Sequence, residues 1–351
     1  MDANLELLTQ SSLLELASVR LGEQHVGEVA TALSTDAPRG LEELLAGCVS
    51  RGARFGIIGV PEDIGARANG GRGGCEGAWE SFLSTCCAMQ ANRFFDWSSV
   101  AFLGAIATSD LQRESEMLRY EDEAERIRLR RLTETLDERV RSVVQPVAEA
   151  GLIPVLIGGG HNNALPLIEA VCAGTAAGRI DVLNCDAHAD FRPCEGRHSG
   201  NAFRYASAAG LLGRYFVFGL HEQYNAEPML SALIEKDAGW RTFESIAVRG
   251  EISFDDALDE AIAFFAASPR SLGLEIDLDS IANMPTSAQS PHGFSLEQVS
   301  QFIHRAATEL PVRYLHLTEA APKHQEHGSR TTARALSFLL STFLKATTHR
   351  K

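Results

Sequence analysis

Short apolar runs recur along the chain from residue 55 onward, separated by longer segments with helical periodicity. The clearest helical segment covers residues 114–150, which carry many charges and are followed by Gly151. The apolar runs are Phe55–Val60, Val100–Leu103, Ile153–Ile157, Ile180–Leu183, Tyr215–Leu220, Leu272–Ile276, Tyr314–Leu317 and, more weakly, Trp240–Phe243. Alternation of apolar strands with helices is typical of a parallel sheet covered by helices on both faces. The pattern therefore predicts an α/β fold.

Residues 1–50 have a different pattern from the rest of the chain. Their leucines recur at mixed three- and four-residue spacings, which favours helices. The glycine-rich stretch Ala68–Gly77 is too short to be a linker, and no internal repeat is evident. We therefore predict a helical N-terminal extension over residues 1–50 and one domain over residues 51–351.

The composition narrows the possible partners. The 351 residues carry a formal net charge of −14 at pH 7, which argues against nucleic acid because a phosphate-binding surface needs clustered lysine and arginine. No apolar stretch approaches the roughly 18 residues that span a bilayer, and the acidic start Met1–Asn4 does not resemble a signal peptide. The seven cysteines include no Cys-x-x-Cys pair, so we expect reduced thiols, a cytoplasmic location and no membrane partner.

Four of the predicted strands run directly into clusters of polar residues. These clusters cover residues 158–163, 184–190, 277–279 and 318–319. In an open α/β sheet, ligands bind beyond the carboxyl ends of the strands. The sequence therefore predicts that histidine, aspartate and glutamate side chains from four strands meet at one edge of the sheet.

The residues in these clusters are those that a hard divalent cation prefers. Asp186, His188 and Asp190 alternate, so an extended backbone directs them the same way, and Asp277 and Asp279 repeat the spacing. Each motif alone is common in turns and helix caps, but their combination at strand ends favours a metal site. The candidate ligands are His161, Asp186, His188, Asp190, Asp277 and Asp279. Four carboxylates are too many for one buried ion and match two ions that share ligands.

These motifs, the glycine-rich turn that ends in His161 and the strand-end Glu319 resemble the signature of the ureohydrolase superfamily (arginase, agmatinase and formimidoylglutamase) over roughly residues 53–345. The resemblance implies a three-layer α/β/α fold with a mostly parallel sheet of about eight strands. It also implies two Mn²⁺ per subunit and a homo-oligomer, although nickel or cobalt would suit the same ligands.

The resemblance assigns a role to each candidate ligand. His161 and Asp190 would bind the first ion, His188 and Asp279 the second, while Asp186 and Asp277 would bridge both. Two such ions lower the pKa of a shared water. The remaining catalytic roles fall to Glu319, which would hold the cationic nitrogen of the substrate, and to Asp190, which would relay a proton to the departing nitrogen.

The loop over residues 191–201 resembles the arginase segment that binds the substrate's α-carboxylate. On that analogy Ser199 and Asn201 contact the substrate and His198 shuttles protons, while Arg192 and Arg197 bind carboxylate. A solvent-exposed or structural role is the alternative for the histidine and both arginines. Further along the chain, two additional candidate substrate contacts are Glu222 and Asn225.

Two departures from the arginase pattern affect this interpretation. Gly160 stands where arginases and agmatinases carry an aspartate, so a carboxylate behind the metal ligands is lost. Asp279 is followed by Ser280-Ile281 instead of Asp-Pro, so the loop over residues 282–293 need not have arginase geometry. The arginines and glycines of Pro61–Gly74 could form an anion-accepting rim or an ordinary turn. In detail the sequence is most similar to a formimidoylglutamase-like branch.

The predicted function is hydrolysis of a C–N bond in an amino-acid-derived formimino or guanidino substrate. Our first choice is conversion of N-formimidoyl-L-glutamate and water to L-glutamate and formamide, as in histidine breakdown. The alternatives are arginase or another guanidino-acid ureohydrolase. A catalytically silent homologue and a one-metal zinc deacetylase are further possibilities from other classes, both disfavoured by the complete set of ligands.

Overall fold

The fold is seen in a computed structural model that describes residues 3–17, 20–33, 40–175, 178–266, 268 and 270–348. Within these ranges one sheet contains ten strands. They are β1 (Leu5–Leu7), β2 (Thr31–Ala32), β3 (Phe55–Gly59), β4 (Val100–Ile106), β5 (Ile153–Ile157), β6 (Ile180–Cys185), β7 (Leu212–Leu220), β8 (Gly239–Thr242), β9 (Leu272–Asp277) and β10 (Val312–Thr318). The order is β1-β4-β3-β5-β10-β9-β6-β7-β8, and β2 also pairs with β4.

All the strand pairs are parallel except β1 with β4. Successive side chains of a strand point to opposite faces, and here each face packs into its own core. Ile57 belongs to one hydrophobic cluster and its neighbour Ile58 to the other. Val155 and Leu156 of β5 divide in the same way. Burial on both faces explains why the central strands appear in the sequence as continuous apolar runs.

Helices cover both faces and complete the three layers. They are α1 (Gln10–Leu16), α2 (Val26–Val29), α3 (Leu41–Ser50), α4 (Ile64–Ala68), α5 (Ala78–Cys87), α6 (Ser109–Ser115), α7 (Glu123–Glu149), α8 (Ala164–Gly174), α9 (Ala202–Ala208), α10 (Glu227–Glu235), α11 (Phe254–Ala266), α12 (Leu296–Glu309) and α13 (Gly328–Thr348). The core residues of α5, α11, α12 and α13 lie in one cluster, and those of α7, α8 and α9 in the other. The predicted α/β/α class is confirmed.

The sheet is wider than the predicted eight strands because the N-terminal region contributes two. Residues 1–50 contain the predicted helical segments α1, α2 and α3, but also β1 and β2. Strand β1 pairs antiparallel with β4, with Leu5 opposite Ile106. A strand of three residues is too short to reveal itself by alternation, so helical spacing dominated the prediction. The proposed domain boundary near residue 50 stays a prediction.

Among the helices in the described parts of the chain, none is both long and apolar enough to cross a membrane. The longest, α7, has 27 residues but includes many charged ones, such as Arg130 and Glu134. The cytoplasmic location and the homo-oligomeric state expected from the sequence stay predictions.

Candidate metal centre

The candidate ligands meet because their strands are neighbours in the sheet. Strands β5, β10, β9 and β6 lie side by side in that order. His161 follows β5, Asp186 follows β6, Asp277 ends β9 and Glu319 follows β10. Parallel strands present their carboxyl ends at one edge, so residues up to 158 positions apart in the sequence come into contact. This confirms the predicted convergence of the four polar clusters.

His161 lies at the centre of the first group of donors. Its Nδ1 atom is 2.9 Å from Oδ2 of Asp190, 3.1 Å from Oδ2 of Asp277 and 3.2 Å from Oδ2 of Asp186. Each of these four residues offers one donor atom, and all four atoms lie within 4.8 Å of one another. The spacing is close enough for all four to bind one cation.

A second group of donors adjoins the first through Asp186. Nδ1 of His188 lies 3.6 Å from Oδ1 of Asp186 and 3.7 Å from Oδ2 of Asp279. The two oxygens of Asp186 therefore face different histidines, Oδ2 toward His161 and Oδ1 toward His188. A carboxylate with this placement is suited to bridge two ions.

The local backbone directs these side chains into the site. Oδ1 of Asp186 accepts a hydrogen bond from the N–H of His188 (2.7 Å), and Oδ1 of Asp277 accepts one from the N–H of Asp279 (2.8 Å). Asp190 adopts a left-handed backbone conformation, with φ of 45°. Non-glycine residues adopt it only at a cost of about 1–3 kcal/mol, and such residues concentrate at functional sites.

The electrostatics of the cluster call for added positive charge. Burial raises the pKa of Asp277 well above its usual range, and the charges of Asp186 and Asp279 raise it further. The pKa of Asp190 is raised for the same two reasons, burial and the charge of Asp186. A divalent cation would offset this repulsion.

The donor atoms fit Mn²⁺ in their chemistry. They are carboxylate oxygens and imidazole nitrogens without thiolate, as hard divalent ions prefer. One of them, Oδ1 of Asp279, is buried and has no hydrogen-bond partner among the residues that the structure describes. Buried polar atoms are rarely left without a partner, and a bound ion would provide one.

Glu319 closes the site from the end of β10. Its Oε1 accepts a hydrogen bond from the N–H of His161 (2.8 Å), and its Oε2 accepts one from Oγ of Ser287 (2.5 Å). Burial raises the pKa of the carboxyl to about 7, and the charge of Asp279 adds to that effect. Glu319 also has a left-handed backbone, with φ of 63°.

A cavity of about 140 Å³ opens directly onto the cluster. Its wall includes the predicted residues His188, Asp190, Arg192, Ser199, Asn225, Asp277, Asp279 and Glu319. It also includes Asn69, Tyr224 and Ser287, which the sequence analysis did not single out. The cavity is the size of a small molecule, and its wall combines polar and apolar groups, with one arginine, Arg192, among the described residues.

His198 is not placed to shuttle protons. It is fully buried away from the cavity wall, and its Nδ1 accepts a hydrogen bond from the N–H of Gly200 (3.2 Å). Burial lowers the pKa of its imidazole to about 3, and the charges of Arg130, Arg197 and Arg192 act in the same direction. An imidazole that is neutral at physiological pH and enclosed by protein holds the loop in shape.

Arg197 and Asn201 also have structural partners in place of a substrate. The guanidinium of Arg197 is buried and ion-paired with Asp137, with Nε 2.7 Å from Oδ2. It also donates to Oδ1 of Asn201 (2.7 Å) and to the carbonyl of Asn162 (2.8 Å). The amide of Asn201 donates to the carbonyl of Gly196 (2.8 Å). These bonds tie the loop over residues 191–201 to α7 and to the turn that carries the metal-ligand histidine.

Glu222 does not belong to the cavity wall; it is exposed and paired with Arg249 at 2.7 Å. Asn225 lies on the cavity wall, but its side chain accepts from the N–H of Ala189 (2.8 Å) and donates to the carbonyl of Ala187 (3.0 Å). Asn225 thus supports the segment between the ligands. The aromatic side chain of this region that lines the cavity is Tyr224, stacked 5.7 Å from the ring of His188.

Several buried polar residues that support the site gave no clear sequence signal. Glu62 is fully buried and accepts hydrogen bonds from the N–H of Gly160 (2.7 Å) and from the amide of Asn163 (2.7 Å). Glu275 and His316 are fully buried in strands, 2.7 Å apart. For Glu275 and His316, the available sequence signal was an ionisable residue within an otherwise apolar strand.

The three-layer fold and the buried cluster of carboxylates and imidazoles are those of an α/β metallohydrolase. The sequence profile of the arginase family matches residues 53–344, so the chain belongs to this family. It is therefore a hydrolase that acts on the C–N bonds of amidines.

Individual relatives agree with this assignment. Formimidoylglutamase of Chromobacterium violaceum is 28% identical over 223 residues, which cover 60% of this chain and 68% of that protein. The crystal structure of Trypanosoma cruzi formiminoglutamase with Mn²⁺ superposes with a TM-score of 0.70 at 21% identity, covering 94% of this chain and 100% of the other. Formimidoylglutamase of Bacillus subtilis gives a TM-score of 0.71 at 15% identity, covering 94% and 93% of the two chains.

Proposed function

We propose that this protein is a formimidoylglutamase that holds two Mn²⁺ ions. It would hydrolyse N-formimidoyl-L-glutamate by breaking the bond between the formimino carbon and the glutamate nitrogen. The oxygen of water would join that carbon, giving formamide and L-glutamate. The observation that carries the proposal is the pair of adjoining donor groups around His161 and His188, which lie beside one small cavity.

Six residues would hold the ions. His161 and Asp190 would bind one ion and His188 and Asp279 the other, while Asp186, which lies near both histidines, and Asp277 would be shared. The proposed ligands are therefore His161, Asp186, His188, Asp190, Asp277 and Asp279. When bound, a pair of such ions activates water for attack at neutral pH.

Two acidic residues on the cavity wall would act on the substrate directly. Glu319 has one carboxylate oxygen fixed by the N–H of His161 and the other by Ser287. It would receive the cationic formimino nitrogen and orient the carbon. Asp190 lies on the same wall and would pass a proton to the departing nitrogen.

The cationic groups near the cavity favour a substrate with two carboxylates. Arg192 lies on the wall next to Ser199 and Asn69. Arg72 is not one of the wall residues, but its Nε donates to the carbonyl of Ser287 (3.2 Å), which is. Two arginines at or near the cavity would suit a glutamate derivative, which has two carboxylates, whereas agmatine has none.

Arginase is the second candidate, because only one arginine lies on the cavity wall within the described residues and arginine has one carboxylate. Arg197, the other arginine predicted to bind a carboxylate, is already paired with Asp137. A wall with a single cation is compatible with either substrate, so the activities must be compared directly.

The test is turnover of four substrates by the Mn²⁺-loaded protein, assayed side by side. They are N-formimidoyl-L-glutamate, L-arginine, agmatine and 4-guanidinobutyrate. We expect formamide and glutamate from the first, with at most slow release of urea from the others. Faster release of urea from arginine would replace the proposal with arginase. No turnover of any of the four by protein with two ions bound would reject all of these substrates.

A further inference from the structure

The ring of His161 has a carboxylate close to its second nitrogen. The Nε2 atom is buried, has no hydrogen-bond partner among the described residues and lies 3.4 Å from Oε2 of Glu275. Glu275 is fully buried on β9, two residues before Asp277, so its side chain lies in the interior beneath the candidate metal centre. The two nitrogens of His161 therefore face opposite carboxylate groups, Nδ1 toward the aspartates and Nε2 toward Glu275.

Glu275 is itself held in place from the neighbouring strand. Nδ1 of His316 donates to its Oε2 at 2.7 Å, and the hydroxyl of Tyr314 donates to its Oε1 at 2.8 Å. His316 is the residue paired with Glu275 in the β9–β10 register. Both donors are fully buried, so bulk water does not reach the carboxylate. The position of Glu275 is thus determined by two side chains of the neighbouring strand, one of which, His316, also packs its ring 5.8 Å from that of His161.

We propose that Glu275 is a positioning residue that fixes the orientation and tautomer of His161 for metal binding. Glu275 would accept the Nε2–H of His161 and leave the Nδ1 lone pair directed at Asp186, Asp190 and Asp277. Metal-binding histidines usually donate their second N–H to a carboxylate or carbonyl, and loss of that partner weakens metal binding about 10–100-fold. The inference rests on the proposed metal binding and adds to it a determinant of affinity.

The environment of Gly160 gives this carboxylate added importance. The resemblance to arginases would place a carboxylate at position 160, but a Cβ atom there would lie 2.6 Å from Oδ1 of Asn162 and 3.2 Å from Oε1 of Glu319. Asn162 is fully buried, and its amide lies 3.3 Å from Oε1 of Glu62. A side chain at position 160 would therefore require the Asn162 amide to move, whereas Glu275 supplies a carboxylate from the other side of the histidine.

A separate metal site between His161, Glu275 and His316 is the competing explanation. Their donor atoms are close enough to be considered as ligands. However, the 2.7 Å separation of Nδ1 of His316 from Oε2 of Glu275 is that of a short hydrogen bond. His161 would also have to bind cations through both nitrogens at once. A hydrogen-bonded support for one cation site accounts for the geometry without this demand.

The test is Mn²⁺ binding to the substrate-free protein, measured by titration calorimetry on wild type and Glu275→Gln. The substitution keeps the shape and removes the charge. We expect one of the two Mn²⁺ affinities to fall by about 10–100-fold. The matched control is Asp181→Asn, which neutralises a buried carboxylate on β6 whose Oδ1 accepts from the N–H of Arg214 (2.8 Å). We expect this control to bind Mn²⁺ as wild type does, even if it unfolds at a lower temperature.

The possible results separate this inference from the proposed function. A wild type that binds no Mn²⁺ would overturn both, whereas wild-type affinity in Glu275→Gln would overturn only the role of Glu275. If that variant does not fold, Tyr314→Phe removes one donor to the carboxylate and leaves His161 untouched. A smaller loss of affinity at the same ion supports the inference, and unchanged affinity in Tyr314→Phe rejects it. Equal losses in Glu275→Gln and Asp181→Asn would indicate a general effect on stability and also reject it.

Discussion

The carboxylate of Glu319 accepts a hydrogen bond from the main-chain N–H of His161 at 2.8 Å, although 158 positions separate the two residues. One residue is a candidate metal ligand and the other faces the cavity. This bond fixes the distance between the proposed metal position and the group that would hold the substrate nitrogen. Binding of metal and positioning of substrate are therefore linked by one short contact between β5 and β10.

Replacing Glu319 should reduce turnover with little effect on metal content. Glu319→Gln keeps an acceptor for the N–H of His161 but removes the charge that would hold a cationic nitrogen. We expect kcat/KM to fall by about 10²–10³-fold, in the range found when one positioned polar group is lost from an active site. Steady-state kinetics together with elemental analysis would test this, and a loss of metal equal to the loss of activity would contradict it.

Replacing Asp277 should remove metal itself. Oδ2 of Asp277 lies 3.1 Å from Nδ1 of His161, and the residue is proposed to bridge both ions. We expect Asp277→Asn, purified and dialysed beside wild type, to retain fewer ions per subunit and no measurable turnover. Elemental analysis gives the count. Full metal content in this variant would rule out a bridging role for Asp277.

Removing metal should lower both activity and thermal stability. Chelation leaves four buried aspartates close together without a cation, and re-addition of Mn²⁺ should reverse the loss of activity. A ligand at 100 times its Kd stabilises the folded state by about 2.7 kcal/mol, so the midpoint of thermal unfolding should rise with Mn²⁺ concentration. Mg²⁺ is the control, because it prefers oxygen ligands and suits an imidazole-containing site less well. An equal rise with Mg²⁺ would argue against a site built for a transition metal.

The two arginines of the loop over residues 191–201 should respond in opposite ways. Arg192→Ala should raise KM by about 10- to 100-fold, since hydrogen bonds to charged groups contribute about 1.5–3 kcal/mol, and it should leave unfolding unchanged. Arg197→Met should instead lower the free energy of unfolding by about 3–5 kcal/mol, because it leaves Asp137 buried without its partner. Kinetics and denaturant unfolding of both variants distinguish the roles, and a wild-type KM in Arg192→Ala would remove Arg192 from substrate binding.

Stability should fall on acidification through His198. Burial, with the charges of Arg130, Arg197 and Arg192, lowers the pKa of its imidazole from 6.5 to about 3, while Glu195 lies 3.5 Å from its Nε2. Below pH 6.5 the imidazole of His198 therefore binds a proton in the unfolded chain, whereas in the folded chain it stays neutral down to about pH 3. The contribution of His198 to the free energy of unfolding is fully present above pH 6.5. Below that pH it decreases by up to about 1.4 kcal/mol per pH unit.

The measurement is denaturant unfolding of metal-free wild type and His198→Asn at pH 7 and pH 5. Asparagine can accept the same hydrogen bond from Gly200, so the comparison isolates the titration. We expect the stability advantage of the wild type over His198→Asn to shrink between pH 7 and pH 5. An advantage that does not change with pH would place the pKa of the imidazole near its ordinary value.

The fold class and the proposed metal ligands could be predicted because both depend on local patterns. Strands buried on both faces leave continuous apolar runs, and the parallel sheet brings their carboxyl ends together. The alternation of Asp186, His188 and Asp190 directly after such a run then indicated where a cation would bind. Short edge strands such as β1 carry too few residues for a pattern, so the width of the sheet was underestimated.

The surroundings of the site could not be predicted because they depend on contacts between distant segments. Arg197 has the right chemistry to bind a carboxylate, but its partner is Asp137 on α7, 60 positions earlier in the chain. Glu222 is similarly engaged by Arg249. Ser287 belongs to a loop without a regular pattern, and its contact with Glu319 becomes visible only after β10 is placed.

The left-handed backbone of Asp190 and Glu319 has a consequence for the evolution of this chain. Glycine at either position would relieve about 1–3 kcal/mol of strain, so the two proposed functional carboxylates are held at a cost in stability. Selection for stability alone would favour their loss. Under the proposed roles, selection for activity accounts for side chains at φ of 45° and 63°, and a library screened only for thermostability should lose activity first at these two positions.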